Sequence, residues 1–284
     1  MAKFTLDTPN AEAWRSLELA GKPTPSLVDC KSITLGGALE LFATATALGN
    51  SSRLLGEINR AASSGHPIWR GIVREWRRRR IVNHQADLFG IRSIEFFRIR
   101  NTADITGDHF SLLLQRFCRS MRKAGFPKTF AEALSKVLGE MADNVVQHSE
   151  ERADVFTGMG GYHVANRAAA FTITDVGRGV LASLKASPNW QHLKTSREAL
   201  RAIVEARASS RAQQGEGEGF KQLFKALVDR NGSIRLRSGN AVVTISDGVD
   251  GREAREGGSP SLAGLQVCVC CAAGGRAKEI KIGS

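Results

Sequence analysis

The segment Glu140-Met-Ala-Asp-Asn144-Val-Val-Gln-His148 places a carboxylate, an amide and an imidazole at steps of four residues. In an α-helix each residue turns the chain by about 100°, so a step of four moves a side chain by only about 40° around the axis. Glu140, Asn144 and His148 therefore share one face of a predicted helix. Such a face normally buries apolar residues, so the polar stripe predicts that a polar group packs against it.

Two glycine-rich segments follow this helix. Asp175-Val-Gly-Arg-Gly179 continues a predicted strand, Ala169–Thr174, and Gly215-Glu-Gly-Glu-Gly219 precedes a predicted helix, Phe220–Asp229. Glycines let backbone N–H groups approach phosphates without obstruction by a Cβ atom, and oxygen ligands suit magnesium. A carboxylate can polarise a nucleophile, and Asp175 at a strand end can accept a hydrogen bond from an adenine amino group. Together these features indicate a nucleotide site.

The order and spacing of these motifs resemble a known family. Glu140-x3-Asn144-x3-His148, Asp175-x-Gly-x-Gly179 and Gly215-x-Gly-x-Gly219 resemble the three nucleotide-binding boxes of the histidine-kinase-like ATPase (GHKL) superfamily. The resemblance covers roughly residues 110–272. It implies a two-layer α/β sandwich, with a mixed sheet that carries helices on one face and with ATP under a mobile lid.

Carried over to this chain, the resemblance implies ATP and Mg²⁺ as ligands of the predicted helix. Asn144 would bind the magnesium ion, and Glu140 would act as the catalytic base that polarises water or a partner hydroxyl. His148 matches a position that is often polar in the anti-sigma-like members. It would have a supporting role near the nucleotide, although a purely structural role is an equal alternative.

The glycine loops would contact the rest of the nucleotide. Asp175 would accept a hydrogen bond from the adenine amino group, and Gly177 and Gly179 would shape the adenine pocket. The lid residues near the phosphates would be Gly215, Gly217, Gly219 and Phe220. Two departures from the family pattern stand out: Glu216 and Glu218 lie between the lid glycines, and Gly264-Leu265 replaces the Gly-Thr pair that often begins the last strand.

The layout argues against two branches of the superfamily. No long heptad helix surrounds an upstream histidine, as a sensor histidine kinase would need. Only 65 residues follow Gly219, too few for the sheet and the transducer domain of gyrase or MutL. The layout is closest to anti-sigma and serine-kinase-type bacterial regulators. We therefore expect an ATP-binding regulator of a partner protein, which either phosphorylates a partner serine or threonine or switches partner binding with its ATP state, and which can form a homodimer.

The charge of the chain leaves other functions open. The formal net charge is +12, and basic residues concentrate in the first half, with arginines at positions 74 and 77–80. Ile68, Trp69, Ile72, Val73 and Trp76 form the opposite, apolar stripe of a predicted helix. The arginines are either a solvated helix face or a surface for nucleic acid or anionic lipid. A nucleotide-gated interaction module without turnover, and an adaptor that has lost its nucleotide, are the alternative functions.

The remaining expectations concern location and domains. No apolar run approaches the roughly 20 residues that span a bilayer, and the first ten residues lack the apolar core of a signal peptide, so we expect a cytoplasmic protein without membrane contact. The five cysteines lack the spacing of a zinc site. We expect a small N-terminal α/β domain over residues 1–108, the ATPase domain over 109–272 and a polar tail over 273–284. Residues 247–261 are predicted to form an exposed loop.

Overall fold

This computed structural model describes residues 4–22, 24–48, 53–77, 93–148, 157–205, 232–248, 251–274 and 281–283. Its helices within these ranges are α1 (Thr8–Leu19), α2 (Leu35–Ala47), α3 (Arg53–Ser63), α4 (Pro67–Arg77), α5 (Thr102–Thr106), α6 (Asp108–Lys123), α7 (Lys128–His148), α8 (Gly179–Lys185) and α9 (Ser196–Glu205). Its strands are β1 (Phe4–Leu6), β2 (Cys30–Thr34), β3 (Ser93–Ile99), β4 (Gly158–Ala165), β5 (Ala168–Asp175), β6 (Ser233–Gly248), β7 (Gly251–Ala272) and β8 (Lys281–Gly283).

Five of these strands form the larger sheet, in the order β3-β4-β5-β7-β6, and every neighbouring pair is antiparallel. The expected α/β class is therefore confirmed, whereas the expectation of a mixed sheet is wrong for these strands. The reason is that β4–β5 and β6–β7 are hairpins, in which the chain returns beside itself in the opposite direction. In a second sheet, β2 pairs with β1 in parallel and with β8 in antiparallel orientation, so part of the predicted polar tail is a strand.

Helices cover both faces of the larger sheet, because successive side chains of a strand point to opposite faces. One face packs against α6, α7, α8 and α9 around a core that includes Phe97, Tyr162 and Phe171. The other face packs against α1, α2 and α4 around a core that includes Phe96 and Met159, and α3 packs on α2 and α4. The expectation of helices on one face is therefore corrected: the N-terminal helices form a second layer over the same sheet.

The helix predicted from the polar stripe is confirmed as α7, and the turn before it is well defined. Gly125 has φ +93°, and its N–H bonds to the carbonyl of Arg122 while the N–H of Phe126 bonds to that of Met121. This pair of bonds is the Schellman arrangement that ends a helix, and it requires a residue of positive φ, here glycine. Phe126 is buried, so the turn fixes the direction in which α7 leaves α6.

Strand β4 and the hairpin that joins it to β5 were not predicted from the sequence. β4 contains three glycines, which disfavour strands in isolation. The glycines are needed for packing, since a Cβ atom at Gly160 would lie 2.2 Å from Cζ of Phe97. Asn166 and Arg167 both have positive φ, as expected for the tight two-residue turn of a twisted hairpin.

The predicted exposed loop over residues 247–261 is also corrected. The described part of this segment, residues 247–248 and 251–261, belongs to strands β6 and β7, whose register runs from Ser233 opposite Cys270 to Gly248 opposite Gly251. The register of this ladder shifts at two neighbouring places, and at the first of them Ser238 pairs with Leu265 but Gly239 pairs with Leu262. Two extra residues of β7 form a bulge at this point, and such bulges change the direction of a strand locally.

Candidate functional site

Asp175 is the last residue of β5, and the backbone surrounds its carboxylate. Oδ1 accepts the N–H of Gly177 at 2.8 Å, and Oδ2 accepts the N–H of Leu265 at 3.2 Å. Strand alternation places Asp175 on the same face as Phe171 and Ile173, which is the face covered by α7. The side chain is therefore held by two strands and faces the helix that carries the polar stripe.

Asp175 is buried, and this changes its acidity. Burial raises the pKa of Asp175 to about 6, because a charged carboxylate loses favourable solvation. The two backbone N–H groups act in the opposite direction, as does the positive charge of Arg237. At neutral pH the group is still an acceptor-only carboxylate, which suits a ligand that offers an N–H donor.

Glycines make the backbone around Asp175 compact. Gly264, in the bulge of β7, has φ +83°, and a Cβ atom there would lie 2.0 Å from the backbone oxygen of Asp175. Gly179 has φ +76°, and a Cβ atom there would lie 2.9 Å from Oγ of Ser238. Ser238 Oγ accepts the N–H of Val180 and donates to the carbonyl of Gly264, both at 2.9 Å. These bonds connect α8, β6 and the bulge behind the first glycine loop.

The helix with the polar stripe approaches the end of β5 at Gly158. A Cβ atom added to Gly158 would lie 2.6 Å from Cγ1 of Val145 and 3.7 Å from Cβ of Asp175. Val145 directly follows Asn144, so this turn of α7 and Asp175 meet at the same point of β4. The structure therefore brings the predicted helix motif and the predicted adenine contact to neighbouring positions.

Glu140 and Asn144 lie at the edge of the buried face of α7. Glu140 Oε1 is 3.6 Å from Nζ of Lys136, and its Oε2 is buried without a hydrogen-bond partner in the described part of the chain. Asn144 is partly buried, and its Nδ2 is 4.0 Å from Sδ of Met141. Within the described ranges no hydrogen bond forms to the amide oxygen of Asn144, which is the atom that suits a magnesium ion.

The other predicted site residues are only partly described. His148 is the last residue of α7, and its side chain lies outside the described part of the structure. The predicted lid residues Gly215, Gly217, Gly219 and Phe220 lie outside the described residues altogether. The structure therefore brings the turn of α7 that contains Val145, the residue after Asn144, close to Asp175 at the start of the first glycine loop. Glu140 lies one turn earlier on the same helix, and the lid stays a sequence prediction.

Arg237 was missed by the sequence analysis, although it influences Asp175. It is fully buried on β6. Its Nε lies 3.4 Å from Glu40 Oε1 of α2, an ion pair without hydrogen-bond geometry, and its Nη atoms have no hydrogen-bond partner among the described residues. Glu40 also bonds to Arg15 at 2.8 Å and to Arg235 at 3.1 Å. A buried charge cluster thus links the N-terminal layer to the sheet beside Asp175.

Ser238 was also missed, because a single serine carries no local sequence signal of a contact with Val180 and Gly264. Nor was α8 predicted, as its seven residues fall within a segment of polar composition. Both features depend on residues far apart in the chain.

Comparisons with known proteins do not extend this description. No family model and no curated protein matches the chain. Among the described residues, no group of three or more His, Cys, Asp and Glu side chains could hold a metal ion, and no helix there is long and apolar enough to cross a membrane.

Proposed function

We propose that this chain is an ATP-binding regulatory protein of the histidine-kinase-like ATPase type. The observation that carries the proposal is Asp175, a buried carboxylate at a strand end, held by two backbone N–H groups and flanked by glycines. A buried carboxylate is costly to maintain unless it is paired or used, and such groups cluster at functional sites.

The adenine contact follows from the hydrogen-bonding capacity of Asp175. Each carboxylate oxygen can accept about two hydrogen bonds, and each accepts one from the backbone here. The remaining capacity suits the amino group of adenine. Gly177 carries no side chain that would keep the base away, and Gly179 allows the loop to pack closely against Ser238, which supports their assignment to the adenine pocket.

Asn144 and Glu140 supply the groups that the phosphate end of ATP needs. Magnesium retains water and phosphate oxygens in nucleotide sites, so a single amide oxygen from Asn144 is a sufficient protein ligand. The bound ion would neutralise phosphate charge. Oε2 of Glu140 is buried and unpartnered within the described residues, which suits a group that accepts a proton from a nucleophile. The second glycine loop would close over the phosphates.

We further propose that the nucleotide state regulates a partner protein. Phosphorylation of a partner serine or threonine is the activity assigned to Glu140. If Glu140 instead supports binding without turnover, the ATP state alone would switch the partner contact. The variant Glu140→Gln distinguishes the two. If Glu140 is catalytic, the variant should lose ATP turnover and keep its ATP affinity; if binding alone is the switch, the wild-type protein has no turnover to lose.

Isothermal titration calorimetry with ATP and magnesium tests the site. We expect saturable binding by the wild-type protein, and a loss of affinity of about ten- to a hundredfold in Asp175→Asn, because a hydrogen bond to a charged group contributes about 1.5–3 kcal/mol. Asn144→Ala should lose mainly the magnesium-dependent part of the affinity. Asp108→Asn, which changes an exposed carboxylate on α6, is the matched control and should bind ATP normally.

Two results would overturn the proposal. One is the absence of saturable ATP binding by the folded wild-type protein. The other is an affinity that is the same in Asp175→Asn as in the wild type, since the nucleotide would then bind elsewhere.

A further inference from the structure

A cavity of about 480 Å³ lies between α3 and α4, on different elements from the proposed nucleotide site. Its volume lies within the range of ligand sites in proteins. The residues that line it are Asn59, Ala62, Ser63, Gly65, Pro67, Arg70, Gly71, Val73, Arg74 and Arg77. We refer to it as the arginine pocket, because three of these residues are arginines and none is a carboxylate.

The arginines share one face of α4 for a simple geometric reason. Arg70, Arg74 and Arg77 follow each other at steps of four and three residues, which keeps them on the same side of a helix. The opposite side buries Trp69 and Ile72 in the core of the N-terminal layer. The predicted amphipathic helix is therefore confirmed, and its charged side borders a cavity.

The charge of the pocket is only weakly balanced by nearby acids. Arg74 Nε lies 3.8 Å from Oε1 of Glu75, and both the distance and the exposure of the arginine make this a weak ion pair. Arg77 donates from Nη2 to Oδ1 of Asn59 at 2.7 Å, a neutral partner that orients the guanidinium without cancelling its charge. The pocket therefore presents a net positive charge, and the guanidinium of Arg77 is oriented by Asn59.

We propose that the arginine pocket binds the phosphate backbone of double-stranded nucleic acid. Arg70 and Arg77 are about 10 Å apart along the helix axis at 1.5 Å per residue, and a duplex presents several phosphates over that length. Arginine is well matched to phosphate oxygens. No aromatic side chain lines the cavity, so we expect contacts to phosphates and not to bases.

The inference is independent of the proposed nucleotide site. In the sequence, three more arginines follow Arg77, at positions that lie outside the described residues, and the formal net charge of +12 favours approach to a polyanion.

The test is fluorescence anisotropy with a labelled 20-base-pair DNA duplex at several salt concentrations. Arg70→Gln/Arg74→Gln removes two charges from the pocket while keeping good helix formers in α4. Arg119→Gln/Arg122→Gln removes two charges from exposed positions of α6 and serves as the control. We expect the pocket pair to weaken binding at least tenfold in low salt, and to reduce the slope of log K against log salt by about two, one for each lost phosphate contact.

The control pair should leave the salt slope within about half a unit of wild type. Arg70→Lys/Arg74→Lys keeps the charge and should retain most of the slope. Circular dichroism melting of each variant shows that it is folded.

Two results would overturn the proposal. One is that the pocket pair and the control pair weaken duplex binding equally. The other is that the wild-type pocket binds inorganic pyrophosphate but not the duplex, which would indicate a small phosphorylated ligand. The arginine variants should still bind ATP, so a loss of duplex binding in them is distinguishable from a failure of the nucleotide site.

Discussion

Leu265 donates its backbone N–H to Oδ2 of Asp175 at 3.2 Å, and this bond joins β7 to the end of β5 across 90 residues of sequence. The family that the chain resembles often has Gly-Thr at this position, where the chain has Gly264-Leu265. The contact to Asp175 is made here by the backbone, so it does not depend on a polar side chain. It depends on Gly264, whose conformation brings the Leu265 N–H to the carboxylate.

Gly264→Ala should therefore destabilise the protein and disturb the proposed site. The alanine Cβ atom would lie 2.0 Å from the backbone oxygen of Asp175, and φ is +83°. Positive φ alone costs about 1–3 kcal/mol for a residue with a side chain, and the overlap adds to it. We expect the free energy of unfolding in urea to fall by at least about 2 kcal/mol. Gly56→Ala, in α3 with nothing within 4 Å, is the control and should be neutral or stabilising by up to about 1 kcal/mol.

The raised pKa of Asp175 predicts a pH dependence of stability with a definite sign. The pKa is about 6 in the folded protein and about 3.9 in an unfolded chain. The folded state therefore holds the proton more tightly than the unfolded chain does. The resulting contribution of Asp175 to the free energy of unfolding is fully present below about pH 4 and is lost as pH rises through 6. Relative to Asp175→Asn, the wild-type free energy of unfolding should fall by about 2–3 kcal/mol between pH 4 and pH 7. Parallel urea titrations of both proteins at these pH values measure the difference, and equal pH dependence would contradict the assigned burial.

The affinity for adenosine should also depend on the protonation of Asp175, and it should increase with pH where the stability decreases. A protonated Asp175 has less acceptor capacity, since both of its oxygens already accept backbone N–H groups. Affinity for the adenine amino group should therefore rise as pH increases from 5 to 7. Adenosine is the appropriate probe because it lacks phosphates that titrate in this range. Calorimetry in which the affinity stays constant over this interval would argue against Asp175 as the adenine contact.

The parts of the fold that the sequence predicted are those with local periodic signals. The four-residue spacing of Glu140, Asn144 and His148 predicted α7, and the apolar run before Asp175 predicted β5. The three glycines of β4 and the glycine-rich, charged composition of residues 247–261 give no local strand signal. Both segments form strands because a neighbouring strand supplies their hydrogen bonds, which is a tertiary effect.

The candidate site was predictable to the same extent. The sequence identified Asp175 and the first glycine loop, since glycine spacing is visible locally. It did not identify Ser238, which hydrogen-bonds to Gly264, or Arg237, which acts on Asp175 electrostatically. Both lie far from these residues in the sequence, and only the register of the sheet brings them near. The sequence likewise contained no sign that α2 packs on the larger sheet, because the residues in contact are far apart in the chain.

The buried charge cluster predicts a large effect of Glu40→Gln on stability. Glu40 is fully buried on α2 and interacts with Arg15, Arg235 and Arg237. Arg235 also has an ion pair with Glu12, but removing the charge of Glu40 takes the carboxylate partner from Arg15 and Arg237, which are both fully buried. Removing one partner of a buried ion pair typically costs about 3–5 kcal/mol. Glu132→Gln is the matched control, because Glu132 is about half exposed and lies 3.9 Å from Lys128 Nζ, so its loss should change stability by less than about 1 kcal/mol. Urea denaturation of both variants at pH 7 gives the comparison. Similar small losses in the two proteins would show that Glu40 does not hold the N-terminal layer to the sheet.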